Sequence, residues 1–505
     1  MIEVGSARRV GGAGTATAAA ALMAAAIGGG LLAQGAYYPR AQWYVGLLVC
    51  AALLLVVHGH PLSRADVRAL PLPVGAAFAA WALIDGALHN AVAGGTRYAL
   101  LVAGLLAVFL ICGRLAGPAR ESLVAALFVV GTALAGLGWL GVLLHRDAWA
   151  WRGEGLWRAS SALTYPNATA AVLAVLALLC LALLTGQPRS VPLGLAATGL
   201  LAGLGATLSR AGLLGLAVGA GVLAATVGPR ALVRAGWPPM LGGLIVLAGL
   251  VPSMPASSSP HPVAAVVALL AGLAAGAGLP ALRPSRRAAV GLVVVVMLGL
   301  SLAGAATVRR GVGAVTDARV TLDSPGRWDA LHAAWQVVLR HPLTGDGPGL
   351  ARLTGTRPEG GVGVFRYAHN EYVQVLAELG VVGLALLLGL LVAFLRVLYR
   401  ARPGPDAPLT GASRAGAPGT GTSGAGSSGA GAPWAAVAGA GAPSPALWTG
   451  AVAGCAALVV HAGLDFVWHL PAIPLLAAAL VGLAGPEHPA RPSGSVVPQA
   501  GGEYQ

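Results

Sequence analysis

A polar segment at residues 308–370, set between two long apolar runs, holds the side chains best suited to chemistry. It carries eight arginines, two tryptophans and three histidines. Ionisable residues are costly in a membrane environment and are retained where they function. Arg327 begins a predicted helix and is followed by Trp328, while His369 and Asn370 precede the next apolar run. Guanidinium groups bind phosphates well, and a histidine can accept a proton near neutral pH. The segment therefore predicts an anion-binding site with a candidate general base.

Arg210 is the third candidate, because Ser209-Arg210 separates two apolar runs with almost no loop. An arginine at bilayer depth costs about 2.5–3.5 kcal/mol on insertion scales. One interpretation is an arginine at a helix end whose charged group reaches back to the interface. The other is an anion ligand at the membrane surface. The sequence alone is compatible with both interpretations.

The segment around Arg327 predicts a short amphipathic helix that begins near Gly326. Pro325 suits the first turn of a helix, and the apolar positions 328, 331, 335 and 338 recur at helical spacing. Amide groups at a helix start, with Arg327 beside them, suit a phosphate. An interfacial helix anchored by its tryptophans is the alternative, and the two are compatible.

Two further polar groups border the predicted spans. Asn370 can cap the helix that follows it, and Glu371 and Asn167 are candidates for supporting roles. Asp465 lies in a short turn with His461 and His469, where it could orient a base or help to bind a cation. A helix-capping Asp465 is the simpler interpretation and is favoured. A histidine such as His369 is more often structural than catalytic when it stands alone, and the nearby arginines strengthen the catalytic hypothesis.

Composition places the chain in the membrane. Of 505 residues, 57% are hydrophobic and 10% charged, and the mean hydropathy is +0.78, whereas soluble domains have about 25% charged residues. The net charge of +14 comes from arginine without lysine. Most arginines flank apolar runs, so membrane orientation explains them and a nucleic-acid partner is not expected. No cofactor or metal motif is recognisable, and the four isolated cysteines fit small buried side chains.

Hydropathy predicts an all-α integral membrane protein with about twelve to fourteen transmembrane helices and one large extracytoplasmic loop that carries short helices. The arginine distribution predicts that the N- and C-termini are cytoplasmic. The predicted organisation is eleven spans in 1–307, the loop at 308–371, a twelfth span at 372–400, a flexible cytoplasmic linker at 401–446, two spans in 447–485 and a disordered tail at 486–505. The linker prediction follows from its Gly, Ala, Ser, Thr and Pro content.

Several short blocks together resemble the O-antigen ligase/polymerase superfamily of bacterial membrane proteins. They are Tyr165-Pro166-Asn167, Leu208-Ser209-Arg210-Ala211-Gly212, Ser324-Pro325-Gly326-Arg327-Trp328, the block from His341 to Gly349, His369-Asn370-Glu371-Tyr372 and the block from His461 to Pro471. Their order around one large loop makes the resemblance fairly specific, over roughly residues 160–485.

The resemblance implies a metal-independent enzyme of the plasma membrane without cofactors. Such enzymes transfer a glycan from an undecaprenyl-diphosphate carrier to a hydroxyl of a glycan, lipid or protein acceptor, in cell-surface polysaccharide assembly or protein O-glycosylation. Arg210 and Arg327 would bind the diphosphate, assisted by Trp328 and Asn370, and His369 would activate the acceptor. A transporter or flippase for a lipid-linked glycan or small anion is the alternative. Transport predicts polar residues deep in several spans, whereas here they cluster at the predicted outer face.

Overall fold

The computed structural model describes residues 7–59, 61–62, 71–281, 311–316, 325–356, 362–404 and 444–485. These residues are mostly helical. The helices are α1 (Ala7–Leu32), α2 (Pro39–Gly59), α3 (Pro71–Leu88), α4 (Val92–Arg114), α5 (Gly117–Leu144), α6 (Pro166–Gly186), α7 (Val191–Ala206), α8 (Arg210–Val227), α9 (Pro229–Leu250), α10 (Pro262–Ala281), α11 (Pro325–Arg340), α12 (Glu371–Arg400), α13 (Pro445–Ala462) and α14 (Ala472–Ala484). Residues 311–316 form a further helical segment.

Within the described residues, ten helices are long and apolar enough to cross a membrane, and α7, α10 and α14 are shorter apolar helices. The prediction of a helical, multi-pass membrane protein is confirmed. Proline opens many of the helices, because it lacks the N–H that would be unpaired there and its φ already suits the first turn. The last of the eleven spans predicted in 1–307, at residues 288–307, lies outside the described residues, as do most of the predicted linker and the tail at 486–505.

Helix α6 forms the centre of the bundle, and its side chains from Pro166 to Leu184 are all buried. The neighbouring helices approach it through glycines: a Cβ added at Gly212 or Gly450 would lie 2.5–2.7 Å from side chains of α6. Small residues let helix backbones approach closely in a membrane, where packing replaces the hydrophobic driving force. The glycines therefore allow the neighbouring helices to pack closely around α6.

Helix α12 is kinked at Gly380, which has φ 65° and ψ −170°. The kink frees backbone groups that a straight helix would pair internally. The segment after α11 uses them: the amides of Asp346 and Gly347 donate to the carbonyls of Ala377 and Glu378 at 2.9 and 3.1 Å, and Val381 donates to Pro342 at 2.9 Å. The turn-rich block from His341 to Gly349 is therefore docked against the kink.

Two antiparallel hairpins interrupt the helical architecture, a feature that the sequence analysis did not predict. One joins β1 (Ala150–Gly153) to β2 (Leu156–Ala159), and the other joins β3 (Leu353–Thr356) to β4 (Val362–Phe365). Each strand has only four residues, the shortest run over which an alternating pattern can indicate a strand. The second hairpin lies with α11 against the start of α12, and the three elements share a small apolar cluster.

Connections between the helices meet at one end of the bundle. Contacts there join Tyr37 with Tyr367, Trp157 with Met254, Tyr165 with Asp465, Arg327 with Asp465, and Gly349 with Glu378. These segments are far apart in the chain, but each follows or precedes a helix that ends at this surface. The polar groups of these particular segments are thereby collected in one place.

Candidate functional site

Asp465 is the centre of the polar cluster. It lies in the turn between α13 and α14, and its side chain is fully buried. The hydroxyl of Tyr165 donates to its two carboxylate oxygens at 2.8 and 2.7 Å, and the amide of Asn167 also donates to it. The backbone N–H of Phe466 adds a bond of 2.9 Å. Buried carboxylates are stable only when they are hydrogen-bonded or paired, and this one is extensively bonded.

The same carboxylate joins Arg327 and His369. Arg327 Nη2 lies 3.2 Å from Oδ2 of Asp465, and His369 Nδ1 lies 3.2 Å from Oδ1. The side chains of Arg327 and His369 are 37% and 28% exposed, whereas that of Asp465 is inaccessible. A substrate can therefore reach the arginine and the histidine but not the carboxylate that orients them.

This geometry assigns the tautomer of His369. Because Asp465 accepts the hydrogen bond from Nδ1, the unprotonated nitrogen of a neutral ring is Nε2. The carboxylate also stabilises the ring after it gains a proton. Nε2 is therefore the ring nitrogen left to accept a proton from a bound group.

The pKa of Asp465 lies below its usual value. Burial raises it, but the hydrogen bond from His369, the charge of Arg327 and the hydrogen bond from Tyr165 together outweigh burial. Burial, followed by the charge of Asp465, raises the pKa of Tyr165 well above its usual value. Tyr165 therefore stays protonated and donates, while Asp465 stays ionised and accepts.

Arg158 is a residue of the site that the sequence analysis missed. It is buried, its Nε donates to the Thr207 carbonyl at 2.9 Å, and its Nη2 lies 3.4 Å from Oδ1 of Asn167. Asn167 in turn donates to Asp465. Arg158 thus connects the turn before α8 with the Asp465 cluster.

Arg210 is the first residue of α8, where the Ser209 side chain caps the helix by accepting from Gly212 N–H at 3.1 Å. The Arg210 side chain is partly exposed. Thr207, three residues earlier, is the residue bonded by Arg158. The helix start that carries Arg210 is therefore connected to the Asp465 cluster through Arg158 and Asn167.

Asn370 caps α12, as its position in the sequence suggested. Its Oδ1 accepts from the backbone N–H groups of Tyr372 and Val373 at 3.0 and 3.1 Å, and its Nδ2 donates to the Gly463 carbonyl at 2.9 Å. The cap therefore also fastens α12 to the turn that contains Asp465. His369 is held beside Asp465 by this attachment.

Glu371 forms a second carboxylate–histidine pair. It is buried, it accepts from the backbone N–H of Trp468, and its Oε2 lies 3.2 Å from Nδ1 of His469. Burial of His469 lowers its pKa, but the charge and hydrogen bond of Glu371 outweigh this, so the net pKa is raised above its usual value. The supporting role of Glu371 in the site stays a prediction.

Trp328 is 57% exposed, and α11 buries alanines and valines rather than its tryptophans, so contact of Trp328 with a substrate stays a prediction. The helix-capping interpretation of Asp465 is wrong, because the 3₁₀ helix Val467–His469 and α14 have their N-caps at Phe466 and Pro471. Among the described residues, no group of three or more His, Cys, Asp or Glu side chains is placed to hold a metal ion.

The fold and this cluster define a multi-pass helical membrane protein with a carboxylate, a histidine and arginines gathered at one end of its bundle. Residues 253–388, about a quarter of the chain, match the family model for O-antigen ligase. The predicted resemblance is confirmed over that segment, which contains Arg327 and His369. Asn167, Arg210 and Asp465 lie outside it. No curated protein matches the chain.

Proposed function

We propose that this protein transfers a glycan from an undecaprenyl-diphosphate carrier to an acceptor hydroxyl outside the cytoplasm. The observation that carries the proposal is the sharing of one buried carboxylate, Asp465, by an accessible histidine and an accessible arginine. A base and a cation fixed side by side suit the displacement of an anionic leaving group by a hydroxyl. The O-antigen ligase match over 253–388 supports the same chemistry.

In the proposed reaction, Nε2 of His369 takes the proton of the acceptor hydroxyl. The acceptor oxygen forms a bond to the anomeric carbon, the bond from that carbon to the diphosphate oxygen breaks, and the carrier diphosphate departs with the electron pair. Asp465 stabilises the protonated His369. Arg327 and Arg210 stabilise the charge that develops on the departing diphosphate, a contribution that is commonly the largest in such catalysis.

We further propose that the end of the bundle that carries this cluster faces away from the cytoplasm. Among the described residues, most of the arginines that flank spans lie at the opposite end of the bundle, including Arg396 and Arg400 at the end of α12. Positively charged connections are retained on the cytoplasmic side. Transport is the weaker hypothesis, because the ionisable side chains of the cluster lie at the helix ends instead of along a path through the bundle.

Reconstitution tests the function. The purified protein in liposomes with undecaprenyl-diphosphate-linked glycan and candidate acceptors should release undecaprenyl diphosphate and transfer the glycan. His369→Gln should lower the rate by about 10²–10⁴. Arg327→Lys should also lower it, since lysine lacks the planar fork that holds phosphate oxygens. Arg210→Ala should weaken use of the donor without preventing membrane insertion.

His58→Gln is the matched control, because His58 is an exposed histidine at the end of α2, away from the cluster. It should leave the rate unchanged. If folded His369→Gln, Arg327→Lys and Arg210→Ala variants all transfer glycan at the wild-type rate, the proposed site is wrong.

A further inference from the structure

Arg366 is a cation close to the cluster without a carboxylate partner among the residues that the structure describes. Its side chain is exposed. Its guanidinium carbon lies 5.7 Å from the centre of the Tyr37 ring and 5.6 Å from that of Tyr367. Two aromatic rings therefore hold the guanidinium in place without neutralising its charge. Its N–H groups form no hydrogen bond with the described residues, which leaves them available to an anion there.

The two tyrosines contribute hydroxyl groups at the same place. Their oxygens lie 2.9 Å apart, so one hydroxyl donates to the other and the second proton is free to point elsewhere. Burial, followed by the hydrogen bond with Tyr37, raises the pKa of Tyr367. The Tyr367 hydroxyl therefore remains protonated over the physiological range. Arg366, Tyr37 and Tyr367 together present donors to a single small region, which we call the Arg366 subsite.

The Arg366 subsite is continuous with the proposed reaction centre. The Tyr367 ring stacks on Phe466 with centroids 4.6 Å apart, and the Phe466 ring meets His369 at 5.0 Å. Arg366 also precedes His369 by only three residues, in the short segment between β4 and α12. Two ring contacts therefore separate the subsite from the candidate base.

Charge balance around the cluster indicates what the subsite binds. Asp465 compensates Arg327, and Glu371 compensates His469. A departing diphosphate gains negative charge, which these paired groups only partly offset. Arg366 supplies a positive charge that no described carboxylate offsets, together with a planar set of donors suited to phosphate oxygens.

We propose that the Arg366 subsite binds a phosphoryl group of the lipid-linked substrate. This inference rests on the proposed function, since it concerns the same substrate. It adds Arg366 to the residues proposed to bind the diphosphate. Arg366 lies in the same short segment as His369. A contact of this kind, between charged groups joined by several hydrogen bonds, contributes roughly 10- to 100-fold in affinity.

Binding measurements on the full-length protein in nanodiscs test the proposal. The probes are undecaprenyl diphosphate, undecaprenyl monophosphate and inorganic pyrophosphate, and the variants are Arg366→Ala, Arg366→Lys and Tyr37→Phe. Arg366→Ala should weaken undecaprenyl diphosphate binding roughly 10- to 100-fold, with smaller losses for Arg366→Lys and Tyr37→Phe. Arg400→Ala, an exposed arginine at the far end of α12, is the control and should bind as the wild type does.

The probes separate the source of the phosphoryl group. An equal loss for pyrophosphate supports a subsite that recognises the phosphoryl group alone, and a loss confined to the lipid probes supports recognition of the lipid headgroup. If Arg366→Ala and Arg366→Lys fold normally and bind all three probes as tightly as the wild type, the proposal is overturned. In that case the proposed function still stands if the wild type transfers glycan, and it fails separately if the wild type neither binds the carrier nor transfers.

Discussion

At the scale of single residues, the proposed function depends on the contacts of Asp465 with His369 and Arg327. Asp465→Asn keeps the size of the side chain but removes the charge that stabilises a protonated His369 and pairs with Arg327. We expect the transfer rate to fall on the order of 10²-fold, towards the effect of losing the base. Rates measured in reconstituted liposomes check this expectation, with the inserted protein quantified for each variant.

The lowered pKa of Asp465 also predicts that the folded protein loses stability at acidic pH. Its pKa is lowered in the folded protein, so its stabilising contribution is present above the unfolded value of about 4 and is lost as the pH falls through the lower folded value. The melting temperature of the wild type should therefore drop in this acidic range, and that of Asp465→Asn should depend less on pH there. Identical acid profiles for the two proteins would contradict the prediction.

The pair of Glu371 and His469 predicts the opposite pH dependence. The pKa of His469 is raised, so the contribution of the pair is complete below about pH 6.5 and is lost as the pH rises through the higher folded value. Glu371→Gln should flatten the decline in melting temperature above pH 6.5. His332→Gln, an exposed histidine of α11, is the control and should keep the wild-type profile.

At the scale of elements, the kink of α12 connects the membrane bundle to the segment that follows α11. A Cβ at Gly380 would lie 2.0 Å from the carbonyl oxygen of Leu343, and the positive φ there disfavours any other residue. Gly380→Ala should therefore destabilise the protein by at least about 1–3 kcal/mol, the usual cost of such a backbone conformation, and lower the transfer rate.

Gly389→Ala is the matched control in the same helix, because a Cβ there makes an ordinary contact 3.4 Å from Val74. Thermal unfolding of both variants in the same lipid provides the measurement. Equal melting temperatures for Gly380→Ala and the wild type would show that the kink is not required.

At the scale of the whole molecule, orientation is the prediction that matters most. In a variant whose four native cysteines are replaced by alanine, a cysteine at exposed Gln336 of α11 should react with a membrane-impermeant maleimide added outside intact cells. A cysteine at exposed Arg402, beyond the end of α12, should react only after permeabilisation. Labelling in the reverse pattern would place the Asp465 cluster in the cytoplasm and exclude an extracytoplasmic transferase.

The apolar runs alone were sufficient to predict a helical, multi-pass membrane protein, although not the number of its spans. Each span depends on the transfer of a continuous stretch of about 20 side chains into lipid, which is a local property of the sequence. Arg327 and His369 were also recognisable from the sequence as candidate site residues, because ionisable groups are rare in an apolar chain. The cap formed by Asn370 followed from its position just before a helix.

The contacts that make these residues a site depended on the tertiary structure. Tyr165 lies 300 residues from Asp465, and His369 lies 96 residues from it. The role of Asp465, the position of Arg158 and the pairing of Glu371 with His469 each require helix ends from distant parts of the chain to meet at one surface. Hydropathy records how a side chain interacts with lipid or water, whereas a hydrogen-bond partner is set by how the helices pack around α6. The bundle therefore decided which polar residues act together.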